Sequence, residues 1–182
     1  MREFDFEKVM GLPNSTEDVE CDMGEINEKC TRMKNLLLKK SKNTITLSSL
    51  MKKLKNIKDA DDVFRISFIL FTISTLLCPP KSSKIDEVLL TQLKDPNLIR
   101  HKNWVTYFFL YLIDGVRKFK DGVSRNFQGC IPFLQIFYWG CISQKQVYVN
   151  RVQVPLVAWS ENKVATLNKL VAKDKFFYSS TV

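Results

Sequence analysis

Apolar residues recur at spacings of three and four along most of the chain, the pattern of one buried face of an α-helix. Residues near 25–40 carry one such stripe and residues 47–57 carry another, with Thr46 placed as an N-cap. From Asp61 the chain is apolar on nearly all sides until Cys78-Pro79-Pro80 ends the run, which is typical of a largely buried helix. Further helical stripes begin near Ile85, Trp104, Gly129 and Ser160.

Only residues 147–154 alternate in a way that predicts an extended segment. The sequence therefore predicts an all-α fold, a compact bundle of roughly six to eight helices with one short extended segment near 147–154. A length of 182 residues suits one domain over 1–182, with an acidic N-terminal segment (1–24) and a flexible tail (173–182).

The aromatic residues are predicted to form the core. Hydrophobic residues make up 45% of the chain, which excludes disorder over most of its length. The largest aromatic side chains sit on apolar stripes without interleaved Lys or Arg, so burial is favoured over a base-stacking platform. The predicted core residues are Trp104, Phe108, Phe133, Phe137 and Trp159.

Charge is unevenly distributed within the net +9. Residues 1–28 hold nine acids and two bases, whereas residues 29–58 hold ten bases and no acid. This basic block favours a solvated or self-neutralising surface, and it also suits nucleic acid or an anionic membrane face. The predicted basic patch comprises Lys34, Lys39, Lys40, Lys42, Lys52, Lys53, Lys55 and Lys58.

Catalytic, metal-binding and cofactor-binding residues are not predicted. The five cysteines have no metal-finger spacing, and His101 is the only histidine. A triad of His101 with Cys130 or Cys141 and with Asp114 or Asp121 can be written down, but no surrounding motif supports it. Nucleotide-binding and zincin motifs are absent from the sequence. We therefore expect a protein that is not an enzyme and has no cofactor.

Targeting signals are weak. The acidic N-terminus has no apolar h-region and does not resemble an organellar presequence, and the longest uncharged runs do not predict a membrane span. Two lysine clusters at 39–42 and 52–55 loosely resemble a two-part nuclear import signal. We expect a nuclear or cytoplasmic protein; the alternative is a mitochondrial one without a recognisable presequence.

Several short motifs in register resemble the plant mobile domain family, the aminotransferase-like or retrotransposon-like helical module of plant transposon proteins. The family's patterns are "DV..VLGLP", "FVLF…FLCPT", "GC..FLQ.FYW" and "(V/I)PR…AW(T/S)". In that order, the matching segments are residues 5–13, residues 68–71 with 76–79, residues 129–139, and residues 154–155 with 158–160. Asn103-Trp104, which opens the helix after the second segment, also resembles the family.

The resemblance covers residues 5 to 170 and implies a non-catalytic interaction module derived from a plant mobile element, binding a protein partner or itself. It also implies a truncation, because the sequence departs from the family pattern at both ends: the helices expected before the "GLP" motif are missing at the N-terminus, and the cysteine protease domain that can follow the module is missing downstream. Loss of those helices would expose apolar surface and favour a homodimer or a stable heteromeric partner, with the basic patch at the rim. The predicted partner interface comprises Met33, Leu36, Leu37, Leu47, Leu50, Leu54 and Ile57.

Two alternatives remain open at the level of sequence. An exposed apolar surface also suits a cytotoxic factor, the toxin of a selfish toxin–antidote pair, that captures an organelle protein. The basic block at 29–58 alternatively suits a nucleic-acid-binding protein, although nucleic acid is not the favoured partner.

Overall fold

The computed structural model describes residues 1–12, 14–19, 28–38, 44–86, 88–93, 95–142, 153 and 155–173. Most of these residues are helical, so the all-α prediction is confirmed. The helices are α1 (Glu3–Met10), α2 (Glu28–Leu37), α3 (Leu47–Asn56), α4 (Asp62–Thr72), α5 (Leu89–Leu93), α6 (Trp104–Lys120), α7 (Ile131–Ile142), α8 (Pro155–Ala158) and α9 (Glu161–Lys173). A π-helical turn, Ile73–Leu77, extends α4, and a 3₁₀ turn, Ile99–His101, comes shortly before α6.

The chain divides into two compact units, one made of Met1–Leu12 and Ile131–Val182 and the other of Pro13–Cys130. The expectation of one domain over 1–182 stays a prediction. The extended segment predicted near 147–154 lies outside the described residues except for Gln153, and so does the predicted tail beyond Lys173.

The first unit is built around aromatic contacts between α1 and α7. Phe6 and Phe133 are fully buried, and their ring centroids lie 4.7 Å apart. Helix α1 ends at Gly11, whose φ of 65° is the left-handed conformation that glycine adopts without steric cost. The Gly11 N–H donates to the Glu7 carbonyl oxygen, which closes the last turn of the helix.

The second unit places α4 against α2, α3 and α5. Its core includes Leu50, Ile66 and Leu70, all fully buried. The N-caps of α3 and α4 follow from sequence: the Thr46 side chain accepts from the Ser49 N–H, and the Asp61 side chain accepts from the Phe64 N–H. These caps satisfy N–H groups that a helix start otherwise leaves without partners.

Two short strands in the second unit connect distant parts of the sequence. Strand β1 (Glu17–Asp18) pairs in parallel with β2 (Lys102–Asn103). The Lys102 ammonium lies 2.6 Å from the Glu17 carboxylate and lowers the pKa of Glu17, first by hydrogen bonding and then by charge. The pairing places Glu17 and Asp18, from the acidic N-terminal segment, beside the residues that immediately precede α6.

Candidate interaction surfaces

The predicted partner interface on α2 and α3 needs correction. Leu37 is 3% exposed and Leu50 is fully buried, so the prediction of a partner surface is wrong for these two residues. The physical reason is that both helices contact α4, and α2 also contacts α5, so their apolar stripes face the core of their own unit. Leu36 is exposed, whereas the remaining predicted interface residues are partly buried: Met33, Leu47, Leu54 and Ile57.

The basic residues of α3, with Lys58 just after its end, divide into two groups. Lys53 is partly buried and donates a hydrogen bond to the carbonyl oxygen of Leu36, which connects α3 to the end of α2. Lys52, Lys55 and Lys58 are exposed. Lys34 on α2 is partly exposed, and three further members of the predicted patch lie outside the described residues: Lys39, Lys40 and Lys42.

The residues of the hypothetical triad have other surroundings. His101 is exposed, and its Nε2 atom accepts a hydrogen bond from the Arg100 guanidinium at 3.1 Å. Cys130 is fully buried and Cys141 is exposed. Asp114 forms an ion pair with Lys118, one helical turn along α6. Across the described ranges, no group of three His, Cys, Asp or Glu side chains could hold a metal ion.

Three of the five predicted core residues are buried, and two are partly exposed. Trp104, Phe108 and Phe133 are buried, and the Trp104 indole donates a hydrogen bond to the Ile99 carbonyl oxygen at 2.7 Å. Phe137 and Trp159 are partly exposed. Phe137 stacks on Phe133, with ring centroids 5.6 Å apart.

An open groove of about 510 Å³ follows one side of α6, and sequence reasoning did not find it. Leu110 contributes its most exposed apolar side chain, with 59% of its surface accessible, and Tyr107 lies beside it. We call this surface the α6 groove; its main lining residues are Asp18, Asn103, Thr106, Tyr107, Leu110, Tyr111 and Asp114.

The α6 groove has a helical periodicity of its own. Its α6 residues follow one another at spacings of one, three, one and three, from Thr106 to Asp114, and so occupy one helix face. The buried face beside it carries Trp104, Phe108 and Leu112. The sequence signal that could have indicated the groove is the apolar stripe of α6, which is wider than one buried face of a helix requires. The contribution of Asp18 requires the β1–β2 pairing and could not be read from α6.

Two carboxylates, those of Asp18 and Asp114, lie in the α6 groove, and its described lining residues include no basic side chain; Asp114 is paired with Lys118 one turn along α6. Asp18 accepts a hydrogen bond from the Asn103 amide at 3.4 Å. Tyr111 is half-buried, and its hydroxyl donates to the Pro79 carbonyl oxygen at 2.7 Å. Burial chiefly raises the pKa of Tyr111 to about 12, and electrostatic interactions with Cys78, Asp114 and Asp86 add to this effect.

This raised pKa predicts a loss of stability at alkaline pH. The folded state holds the Tyr111 proton more tightly than the unfolded chain, where the pKa is 10.0. The stabilisation should be complete below about pH 10 and disappear as pH rises towards 12. Urea unfolding at a series of alkaline pH values measures it. Tyr111→Phe should flatten the dependence; an unchanged slope in this variant would contradict the assignment.

The described helices include none that is long and apolar enough to cross a bilayer.

The fold and the groove define a mostly helical protein with an open, partly acidic surface on its longest described helix. Residues 1–135 match the model of a family described as a domain of unknown function, DUF8566, and the chain belongs to this family. Comparisons with curated proteins and with solved structures found no match.

Proposed function

We propose that this chain is a non-catalytic helical module that binds a protein partner through the α6 groove. The observation that carries the proposal is the exposed Leu110 side chain in a concave surface between carboxylates and tyrosines. Exposed apolar residues gathered in a groove favour an interaction site more strongly than the same residues scattered singly.

The chemistry of the groove favours a basic partner segment. Asp18 supplies one carboxylate, and Asp114, which is ion-paired with Lys118, supplies a second; the described lining residues include no cation, in a chain whose net charge is +9. A lysine or arginine of the partner would gain from these carboxylates and from the face of the Tyr107 ring. An apolar partner residue would cover Leu110. We therefore expect a short partner segment in which a basic residue lies near an apolar one.

The volume of the groove fits this kind of ligand. Pockets that bind small ligands enclose about 300–1,000 Å³, and about 510 Å³ accommodates a few side chains of an extended segment. On the resemblance of its short motifs to the plant mobile domain, we propose an origin in a plant mobile element and a nuclear or cytoplasmic site of action.

A peptide selection tests the function without a known partner. A random peptide library displayed on phage, selected against the intact chain, should yield sequences with Lys or Arg close to an aromatic or aliphatic residue. Leu110→Asp should weaken their binding about tenfold or more, because a charge then replaces the apolar contact, a change of at least about 1.4 kcal/mol. Asp18→Asn combined with Asp114→Asn should weaken it less and reduce its salt dependence.

The matched control is Val123→Asp, which places the same charge at another exposed apolar residue outside the groove. It should leave peptide binding unchanged. Failure to enrich any sequence, or equal losses from Leu110→Asp and Val123→Asp, would contradict the proposed function.

A further inference from the structure

We infer that the outer face of α3 binds the phosphate backbone of nucleic acid, independently of the α6 groove. Exposed lysines surround this helix at both ends and along its outer side. We call them the α3 lysine face; they are Lys52, Lys55, Lys58, Lys81 and Lys84.

The fold brings these lysines together from two stretches of sequence. Lys84 forms an antiparallel bridge with Thr46, and the Ser83 carbonyl oxygen accepts from the Leu47 N–H at 3.1 Å. Ser83 and Lys84 therefore lie against the start of α3, and Lys81 comes two residues before Ser83 in the chain. Lys52 and Lys55 follow along the helix, and Lys58 comes just after its end. A ten-residue helix is about 15 Å long, which is enough for several successive phosphates of one strand.

The charges of the α3 lysine face are available to a ligand. Within the described part of the chain, none of its five lysines takes part in an ion pair. Three of the nearby carboxylates have other partners, and a fourth, Asp59, is exposed next to Lys58. Asp61 caps α4, Asp62 pairs with Arg65, and Asp86 accepts from the Val88 N–H.

The rest of the outer face favours phosphates over other anionic partners. Ser48 is exposed beside the lysines and can donate a hydrogen bond to a phosphate oxygen; the exposed Asn56 amide donates one hydrogen to the Lys52 carbonyl oxygen and keeps a second for a ligand. No aromatic residue lies on α3, so base stacking is not available from this helix. Leu50 is buried against its own unit and Met51 is the exposed apolar residue of the helix, which is too little apolar surface for an interfacial membrane helix. The result is a surface suited to sequence-independent backbone contacts.

Salt dependence gives the sharpest test. Binding of the intact chain to a short fluorescein-labelled DNA duplex of mixed sequence is followed by fluorescence anisotropy between about 50 and 200 mM salt. Each phosphate contact contributes about −0.9 to the slope of log K against log salt, so five lysines allow a slope no steeper than about −4.5. Lys52→Gln with Lys55→Gln should make the slope shallower by about 1.8.

The matched control removes two lysines from another helix of the same unit. Lys118→Gln with Lys120→Gln changes the net charge by the same amount, but these residues lie near the end of α6. The control should keep the parent slope. Circular dichroism of both variants should match the parent, because Lys52, Lys55 and Lys120 are exposed and Lys118 pairs only with Asp114 on its own helix.

Three results would overturn the inference. One is the absence of duplex binding at about 50 mM salt, where phosphate contacts are strong. Another is an equal loss of slope in both double variants, which would indicate a net-charge effect without a defined face. The third is tighter binding to phosphatidylcholine–phosphatidylserine vesicles than to the duplex, which would assign the lysines to a lipid surface.

Discussion

Phe133→Ala should lower the free energy of unfolding by about 3–5 kcal/mol, the range for removing a buried phenylalanine side chain. Phe133 is fully buried in the first unit, with the Phe6 ring centroid 4.7 Å away and the Phe137 centroid 5.6 Å away. Alanine would leave a cavity between both rings and remove the aromatic contacts of α7 with α1. Urea unfolding followed by circular dichroism measures the change.

Tyr138→Ala is the matched control on the same helix, because the Tyr138 side chain is 50% exposed. It should change the free energy of unfolding by much less, about 0.5 kcal/mol or so for a surface position. Equal losses in the two variants would show that Phe133 does not hold this unit together.

Gly115→Ala should destabilise the second unit by about 1–3 kcal/mol or more, because the new methyl group has no space. A Cβ atom at Gly115 would lie 1.7 Å from the backbone carbonyl oxygen of Gln128. Neither atom can rotate away, since one belongs to α6 and the other to the backbone of the segment before Gly129. The helix and this segment would have to separate. Thermal and urea unfolding both measure the effect.

Gly140→Ala is the same substitution at another helical glycine, and it should raise the free energy of unfolding where Gly115→Ala lowers it. Gly140 is an exposed position in α7, and a Cβ atom there meets nothing within 4 Å. Alanine has the higher helix propensity, so this variant should gain up to about 1 kcal/mol. A neutral or stabilising Gly115→Ala would contradict the close approach of α6 to Gln128.

The sequence predicted helices well where both the sequence signal and the interaction behind it span only a few neighbouring residues. Thr46 and Asp61 were readable as N-terminal residues of helices because their side chains satisfy N–H groups three residues ahead. The run after Asp61 was readable as a buried helix, and it ends before Pro79. The π-helical form of its last turn was not readable, because no residue type at Ile73–Leu77 distinguishes it from α-helix.

Periodicity shows which side of a helix is apolar but not what covers that side. Leu37 and Leu50 illustrate the difference, because the expected loss of a covering region made them interface candidates, whereas α4 and α5 already pack against their helices. The same limit explains the α6 groove. Tyr107 and Tyr111 are apolar neighbours of Trp104 and Phe108 in the sequence, and only the fold separates the buried face from the groove face.

Pairing between distant segments was the other limit. Glu17 and Lys102 are 85 residues apart, and a two-residue strand has no periodicity to detect. Lys84 reaches α3 through a similar short bridge to Thr46. The acidic lining of the α6 groove and the full extent of the α3 lysine face both depend on such contacts, so neither surface was visible as a whole in the sequence.

The proposals for the α6 groove and for the α3 lysine face can be tested separately. Leu110→Asp should impair peptide binding and leave the slope of DNA binding against salt unchanged, whereas Lys52→Gln with Lys55→Gln should do the reverse. One proposal can therefore fail without the other.

The central claim is that the α6 groove holds a partner segment, and chemical-shift mapping by nuclear magnetic resonance tests it most directly. A peptide obtained from the phage selection is titrated into the isotope-labelled chain. The largest shifts should fall on the amides of Thr106, Tyr107, Leu110 and Asp114 and on Asp18 across the groove, and they should be absent in Leu110→Asp. Shifts concentrated on α3, or shifts on α6 that persist in Leu110→Asp, would contradict the claim.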